Sequence, residues 1–316
     1  MSRKKTAVVA LGGNAITRPD MEDNIANQFA NTRRSLDAIV ELARDGFNLV
    51  VTHGNGPQVG NALLRIELSR GRAPILPLGV LVADTEGGMG YMIEQSLQNR
   101  LRAEEIHRPV VTLITQMLVD ENDPAVNNPT KYIGQFYPEE DAHRFMEERQ
   151  WQMKQDGQRG WRRVVPSPIP MRAIQATTIR HLMDRGVIVI AGGGGGIPVY
   201  IDSNGNYEGF DAVIDKDLAS AVIGNNIDAG ILAILTSVEG VAVNYGKENE
   251  KMLGQVSLSE IKKYYEEGHF PPGSMGPKIQ AAIRFLENGG HMVTISSLEK
   301  GREAIHGNAG TRITAD

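Results

Sequence analysis

The sequence contains no cysteine, and that absence removes several kinds of chemistry at once. Disulfide bonds, a thiolate nucleophile and a zinc site with cysteine ligands are all excluded. An excess of positive charge is also missing, since the 316 residues carry a formal net charge of −5. A surface that binds nucleic acid is normally basic. We therefore expect no nucleic-acid partner, although a local basic pocket is compatible with this total.

Long hydrophobic runs are absent as well. No apolar run reaches the roughly 18 residues that a membrane-spanning helix needs, and the apolar stretch before Gly12 is too short for a secretory signal. We expect a cytoplasmic protein that does not associate with a membrane. The hydrophobic fraction of 41% is enough for a full core. The length is compatible with one large α/β domain or with two domains.

Several familiar functional motifs cannot be found. The chain has no G-x-x-x-x-G-K-[ST], so it is not a P-loop enzyme, and no G-x-S-x-G typical of serine hydrolases. Its histidines show neither H-E-x-x-H nor a pair at i and i+4, and we predict no metal ligands. Val59 stands where G-x-G-x-x-G requires its third glycine, so a dinucleotide-binding fold is poorly supported.

What the sequence does contain is an alternation of strand and helix patterns. Short apolar runs rich in β-branched residues predict buried strands at 7–11, 49–52, 110–114, 187–191, 231–236 and 292–295. Helical patterns lie between them at 28–44, 57–69, 85–102, 176–185, 217–225, 257–267 and 277–288. This order predicts a three-layer αβα sandwich with an open, mainly parallel sheet. Ligands of such sheets usually bind beyond the carboxyl ends of the strands.

One segment, residues 116–174, interrupts the alternation. It is rich in proline and polar residues, and a loop of that length without regular structure is uncommon in a compact domain. We interpret it as a small inserted subdomain that projects from the sheet. The alternative is an ordinary surface excursion.

Glycine-rich turns follow the predicted strands at 11–14, 52–60 and 191–198, and another at 273–278 opens a helix. Glycine lets backbone amides approach a ligand closely, and a helix start adds unpaired N–H groups. The run of five glycines at 192–196 costs backbone entropy with no evident return in packing. These turns predict a site for phosphate or carboxylate oxygens.

Lysines and aspartates supply candidate charges for such a site. Lys131 lies in the inserted segment, and Lys216 is flanked by Asp215 and Asp217. Either aspartate can be a helix cap, or the pair can orient catalytic cations or magnesium. Lys278 is predicted in the first turn of a helix, where a cation costs about 0.3–1 kcal/mol unless an anion binds there. The alternative to anion binding is that the side chain of Lys278 extends into water.

Seven motifs together resemble those of the amino acid kinase superfamily and, within it, of the carbamate kinases. They are ALGGNA (10–15), HGNGPQVG (53–60), DPAVNNPTKYIG (123–134), GWRRVVPSP (160–168), GGGGIPV (193–199), AVIDKDLAS (212–220) and GSMGPK (273–278). They cover nearly the whole chain in the family's order. Tyr132 departs from the pattern, which has proline there; the motif lysine is retained.

The resemblance implies an open αβα sandwich that forms a homodimer and catalyses ATP + carbamate ⇌ ADP + carbamoyl phosphate with Mg²⁺. It also implies an ATP-forming role in arginine catabolism. The N-terminal half, about 1–210, would hold carbamate and include the projecting segment 116–174. The C-terminal half, about 211–316, would hold the nucleotide.

Individual roles follow from the same resemblance. The catalytic residues would be Lys131, Lys216 and Lys278, with Asp217 orienting the lysines and Asp215 close by. The substrate pocket would be lined by Gly12, Gly13, Asn14, His53, Gly54, Asn55, Gly56, Gly193 and Gly194. For His53, a structural hydrogen bond is an equally good explanation. Lys216, Ser237, Val243, Tyr245, Met275 and Lys278 would bind the nucleotide.

The expected mechanism is direct in-line transfer, which needs no general base because carbamate is already an anion. Three alternatives stay open. They are a kinase of the same superfamily that acts on an amino-acid carboxylate or on UMP, a nucleotide-binding sensor without activity, and a dinucleotide-binding oxidoreductase.

Overall fold

Short apolar runs form the central sheet of the protein. The computed structural model describes residues 5–17, 21–271 and 273–316. Its strands are β1 (Thr6–Leu11), β2 (Asn48–His53), β3 (Val110–Thr112), β4 (Gln116–Leu118), β5 (Lys131–Tyr137), β6 (Met153–Gln155), β7 (Trp161–Val165), β8 (Arg172–Ala173), β9 (Ile188–Ile190), β10 (Ile197–Ile201), β11 (Tyr207–Gly209), β12 (Ile231–Thr236), β13 (Val241–Val243), β14 (Lys251–Leu253), β15 (Gln255–Ser257), β16 (Met292–Ser297) and β17 (Thr311–Thr314).

The helices lie between these strands. They are α1 (Ile25–Arg34), α2 (Asp37–Arg44), α3 (Gly56–Leu68), α4 (Leu78–Ala103), α5 (Pro124–Asn127), α6 (Glu139–Arg149), α7 (Ala176–Asp184), α8 (Lys216–Asn226), α9 (Leu258–Glu266), α10 (Met275–Glu287) and α11 (Gly301–Ile305). Single 3₁₀ turns are formed by Gly13–Ala15 and Gly193–Gly195. Among the described residues, no helix is both long and apolar enough to cross a lipid bilayer.

The largest sheet has eight strands in the order β15-β17-β16-β12-β1-β2-β9-β3. Every neighbouring pair in it is parallel except β16 and β17. Side chains alternate between its two faces. Thus Val8 and Val50 pack with α7, α8 and α10, while Val9 and Val51 pack with α2 and α4. The predicted αβα sandwich with a mainly parallel sheet is confirmed.

All six predicted strands are present in this sheet, and the helical predictions need two corrections. The pattern at 28–44 is two helices, because the chain turns at Ser35, whose hydroxyl donates to the carbonyl of Ala15 at 2.8 Å. The pattern at 85–102 belongs to a longer helix that begins at Leu78. Glycines near the start of this helix made the extension difficult to predict from the sequence. Gly90, further along the helix, allows close packing on Thr112.

The inserted segment folds around its own small sheet, in the order β5-β7-β6. Helix α6 covers it, and Ala142, Phe145 and Met153 form a separate apolar cluster. The ends of the segment behave differently, because β4 and β8 pair within another sheet of order β11-β10-β4-β8. The separately folded part is therefore narrower than 116–174. The division into a carbamate half and a nucleotide half stays a prediction.

Candidate active site

The carboxyl ends of the central strands bring the glycine-rich turns together. Leu11 at the end of β1 is paired with His53 on one side and with Leu235 on the other. The amide of Gly12 donates to Leu235 at 2.8 Å, and the amide of Gly54 donates to Leu11 at 3.1 Å. The turns after β1 and β2 therefore lie side by side. Gly13 is half-buried, and the side chain of Asn14 lies outside the described part of the chain.

The five-glycine turn packs against its surroundings at almost every position. A Cβ on Gly192 would lie 2.5 Å from Ile223, and one on Gly195 would lie 2.4 Å from the carbonyl oxygen of Ile214. The expectation that these glycines bring no return in packing is therefore wrong. Helix α8 and the strand ends approach so closely that a side chain would displace them. A requirement for space explains the glycine run independently of any ligand.

Two lysines meet at one buried carboxylate. Asp217 lies in the first turn of α8, with a side chain 4% exposed. Its Oδ1 accepts from Lys216 Nζ at 2.5 Å, and its Oδ2 accepts from Lys278 Nζ at 3.0 Å. Lys216 is the first residue of α8, and Lys278 lies near the start of α10. One side chain therefore holds the positive charges of two helices together.

The other aspartate of the triplet is the cap of α8. Asp215 Oδ1 accepts from the amides of Asp217 at 2.9 Å and Leu218 at 3.4 Å, which satisfies N–H groups of the first turn. Its Oδ2 accepts from Lys131 Nζ at 2.9 Å. Lys131 belongs to β5 of the inserted segment, so the cap also links that segment to the main body. The structure thus brings all five predicted catalytic residues to the start of α8.

Electrostatics keep the central carboxylate ionised. Burial by itself would raise the pKa of Asp217, but the ammonium groups of Lys216 and Lys278 outweigh burial, and the pKa lies below its usual range. Hydrogen bonds from both ammonium groups act in the same direction. The charge needed to hold the two lysines therefore persists well into acid solution.

His53 ends β2 and lies beneath the glycine turn. Its Nδ1 donates to the carbonyl of Gly54 at 3.1 Å, which is the structural hydrogen bond anticipated as an alternative to ligand contact. Burial, which is the largest cause, and the positive charge of Lys216 together lower the pKa of the His53 imidazole to about 4, against the opposing effect of the hydrogen bond to Gly54. His53 is consequently neutral at physiological pH. A Cβ on Gly193 would lie 2.4 Å from its Nε2.

Comparison with known proteins agrees with this arrangement. The sequence profile of the amino acid kinase family matches residues 5–297. The chain belongs to the amino acid kinase family. Carbamate kinase of Pyrococcus furiosus is 48% identical over 98% of this chain and 99% of its own length. The carbamate kinase-like protein YahI of Escherichia coli is 43% identical, with 98% and 99% covered.

A solved structure extends the similarity to three dimensions. Carbamate kinase of Giardia lamblia bound to AMP-PNP matches this amino acid kinase with a TM-score of 0.93 and 41% identity, over 100% of both chains. The resemblance recognised in the motifs is therefore confirmed, and the protein is an ATP-dependent phosphotransferase.

The remaining predicted residues of this kinase belong to several elements of the fold. Asn55 Nδ2 donates to Thr85 Oγ1 at 2.9 Å, and Gly56 is the first residue of α3. Met275 opens α10, one turn before Lys278. Three further residues follow β12 along the chain: Ser237 is exposed, Val243 is buried at the end of β13, and Tyr245 is exposed. Their roles in binding stay predictions.

One buried acid of the kinase was missed by the sequence analysis. Glu86, in α4, is 1% exposed, and its Oε2 accepts from the amide of Thr115 at 2.9 Å. The amide of Gly193 donates to the same carboxyl group. Burial raises the pKa of Glu86 to about 8, against the effect of those two amides. A glutamate in a helical pattern carries no local signal that would have identified it.

A sizeable cleft of the kinase lies elsewhere. It encloses about 770 Å³ and is lined by Thr6, Asn48, Ile231 and Met292, the first residues of four central strands or their neighbours. It therefore opens at the amino ends of the strands, away from the lysines. The part of its lining that the structure describes contains none of the predicted site residues.

Proposed function

We propose that this chain catalyses reversible phosphoryl transfer between ATP and carbamate, giving ADP and carbamoyl phosphate. The observation that carries the proposal is the convergence of Lys131, Lys216 and Lys278 on two adjacent aspartates at the start of α8. Ammonium groups placed where charge develops in a transferring phosphoryl group are a main source of catalysis in such reactions.

The mechanism that follows is direct attack of a carbamate oxygen on the γ-phosphorus. Lys216 and Lys278 stabilise the phosphoryl group in transit, and Asp217 fixes their direction. Lys131 binds the acceptor side, because it reaches the site from the inserted segment. Carbamate enters as an anion, so no residue has to remove a proton. The neutral His53 is consistent with that requirement.

Close contact between the glycine turns supports a small acceptor. A Cβ on Gly54 would lie 3.4 Å from the amide nitrogen of Gly13, and one on Gly194 would lie 2.1 Å from Asn55. The turns therefore pack closely on one another, and we infer a small acceptor site at this point. Carbamate carries no side chain. This favours carbamate over an amino-acid carboxylate or UMP.

Mg²⁺ is best treated as a part of the nucleotide substrate. Both oxygens of Asp215 and both oxygens of Asp217 already accept hydrogen bonds from lysines or backbone amides. Across residues 5–17, 21–271 and 273–316, no three histidine, aspartate or glutamate side chains form a group that could hold a metal. Magnesium commonly binds phosphate oxygens and retains several waters. We infer that it enters as the complex with ATP or ADP.

The remaining assignments rest on the relatives. The Giardia protein bound to AMP-PNP supports binding of a nucleotide. Its proposed position in this chain is in residues 211–316, near Ser237, Val243, Tyr245 and Met275. The carbamate kinases among the relatives support carbamoyl phosphate as the second substrate. A cytoplasmic homodimer that forms ATP during arginine catabolism completes the proposal.

The decisive experiment measures ATP formed from carbamoyl phosphate and ADP with Mg²⁺. Parallel reactions offer ATP with acetylglutamate, aspartate or UMP as acceptor. We expect turnover in the reaction of carbamoyl phosphate with ADP, and no turnover with acetylglutamate, aspartate or UMP. Turnover with another acceptor instead would contradict the choice of carbamate. A calorimetric signal for ADP without turnover in any reaction would support the nucleotide-binding sensor.

A further inference from the structure

Glu86 occupies a point where two turns of the site meet. Its carboxyl group accepts from the amide of Thr115, in the turn after β3, and from the amide of Gly193, in the turn after β9. Thr115 in turn accepts from the amide of Gly192 through its hydroxyl at 2.9 Å, and its carbonyl accepts from Ile197 at 2.8 Å. One side chain on α4 therefore ties the glycine turn to its neighbour.

The other oxygen of this carboxyl group, Glu86 Oε1, is buried and has no hydrogen-bond partner among the residues that the structure describes. An ionised carboxylate in that position would leave a charged oxygen without solvation, which is costly in a protein interior. A protonated carboxyl group places its hydroxyl there, while Oε2 remains the acceptor for the amide of Thr115. The geometry therefore favours the neutral acid, in agreement with the raised pKa of Glu86.

We propose that Glu86 is a positioning residue, an uncharged acid that holds the glycine wall of the acceptor pocket and whose ionisation opposes binding of the anionic substrate. The inference rests on the proposed function. A Cβ on Gly193 would lie 3.1 Å from Glu86 Cγ, so the acid is directly behind the turn that is predicted to bind carbamoyl phosphate. A negative charge at this position repels that anion through a poorly screening interior.

The described elements packed against Glu86 supply few charged groups that could offset the repulsion between an ionised Glu86 and the anionic substrate. The strands and turns packed against α4 at this level, β3, β9, β10 and Gly193–Gly195, carry no lysine, arginine, histidine or carboxylate. His53 faces Gly193 from β2 and is neutral, and Lys216 of α8 lies beyond it. On α4 itself, Glu94 is bonded to Thr112 of β3 at 2.7 Å.

Other ionisable residues belong to the helices along α4. Asp37, Glu41 and Arg44 of α2 are linked to one another or to Arg100 and Glu104 at the far end of α4. The ionisable residues of α1 are Arg33 and Arg34, and those of α3 are Arg65 and Glu67. On α4 itself, the acidic residue nearest to Glu86 in the sequence is Asp84.

The test compares the KM for carbamoyl phosphate at about pH 7 and about pH 9.5 in three proteins. In the wild type we expect KM to rise about tenfold, because Glu86 ionises near pH 8, while kcat changes much less. Glu86→Gln keeps an acceptor and a donor in the same places without an ionisable proton, and its KM should stay flat. Glu94→Gln, on the same helix, should retain the wild-type rise.

A flat wild-type KM, or an equal rise in Glu86→Gln, would overturn the proposal. Infrared difference spectra at the two pH values provide a readout that needs no activity. The wild type should lose a protonated carboxyl signal that Glu86→Gln lacks; no such difference would also overturn it. If the wild type makes no ATP from carbamoyl phosphate at about pH 7, the proposed function fails, and the infrared result separately decides the state of Glu86.

Discussion

At the scale of single residues, the two aspartates of the Asp-Lys-Asp triplet have different roles, and the sequence alone does not show which aspartate has which role. Both aspartates are plausible caps of the helix that follows. The structure gives the cap to Asp215 and the two lysines to Asp217. The deciding partner, Lys278, is 61 residues away in the chain. Local patterns identify the residue types, but long-range packing assigns their contacts.

Lys278 provides the most direct kinetic prediction. Lys278→Ala should lower kcat by roughly 10²–10³, equivalent to about 3–4 kcal/mol, because a positive charge beside the transferring phosphoryl group is lost. ADP binding should weaken far less. Steady-state kinetics and ADP calorimetry test both statements. Lys262→Ala, which removes an exposed ion pair with Glu287, is the control and should be unaffected. A normal kcat in Lys278→Ala would remove Lys278 from the site.

His53 provides a prediction about stability. Its pKa is lowered by burial from 6.5 to about 4, so the unfolded chain binds a proton in this interval that the folded chain does not. The free energy of unfolding therefore falls as pH decreases from about 6.5 to about 4, by roughly 3 kcal/mol from this residue. In His53→Asn, whose amide can still donate to Gly54, denaturant unfolding should show a correspondingly weaker pH dependence. Parallel curves for the two proteins would refute this.

At the scale of secondary-structure elements, the buried parallel strands were predictable and several shorter strands were not. β12 is apolar from Ile231 to Leu235, and such a buried run can be recognised without knowledge of its neighbours. β17 has one apolar residue among its four positions, and β8 is only two residues long. Such segments become strands because a partner strand is available. The same limitation concealed Glu86, whose importance depends on two distant turns.

The glycine turn provides a matched pair of substitutions. Gly195 has a φ of +100°, and its Cβ would lie 2.4 Å from the carbonyl oxygen of Ile214. Gly205 has a φ of +84°, and no atom of the residues that the structure describes lies within 4 Å of an added Cβ there. Gly205→Ala should cost about 1–2 kcal/mol of stability from backbone strain alone. Gly195→Ala should cost about 2–4 kcal/mol and lower activity, because Ile214 directly precedes Asp215.

Denaturant unfolding and the ATP-forming assay measure these effects. Gly205→Ala should retain activity, since Gly205 is exposed in the turn that connects β10 and β11 and is not one of the predicted site residues. Equal losses of stability in the two variants would mean that the close approach to Ile214 has no energetic weight.

At the scale of the whole molecule, the site joins two separately organised parts. Lys216 and Lys278 belong to helices on the central sheet, whereas Lys131 belongs to β5 of the inserted segment, with its own apolar cluster. Apolar contacts of Ile133 and Val165 with residues of α3 and α4 join the two parts, and the ion pair of Lys131 with Asp215 links them at the site. That lysine is 39% exposed, and exposed pairs of this kind contribute little by themselves. A bound polyanion that contacts all three lysines should therefore strengthen the connection at the site.

Hydrogen exchange measures that connection. Carbamoyl phosphate with ADP should slow amide exchange across β5 and β7 in the wild type, because both parts then hold one ligand. Lys131→Ala should lose this protection while it keeps protection at the start of α10. Arg159→Ala, which removes an exposed pair with Asp156 on the same segment, is the control and should resemble the wild type. Protection of β5 that survives in Lys131→Ala would contradict the arrangement.

The pairing of each lysine with an aspartate also bears on reversibility. An ammonium group has three N–H bonds, and one from each lysine is already directed at a carboxylate, so two from each are left for oxygens of a visiting phosphate. The three lysines and two aspartates together carry one more positive than negative charge. That net charge is the same whether the phosphoryl group moves from carbamoyl phosphate to ADP or from ATP to carbamate. These charges therefore lower the activation barriers of the forward and the reverse reaction equally. Metabolite concentrations are then left to decide which way the reaction runs.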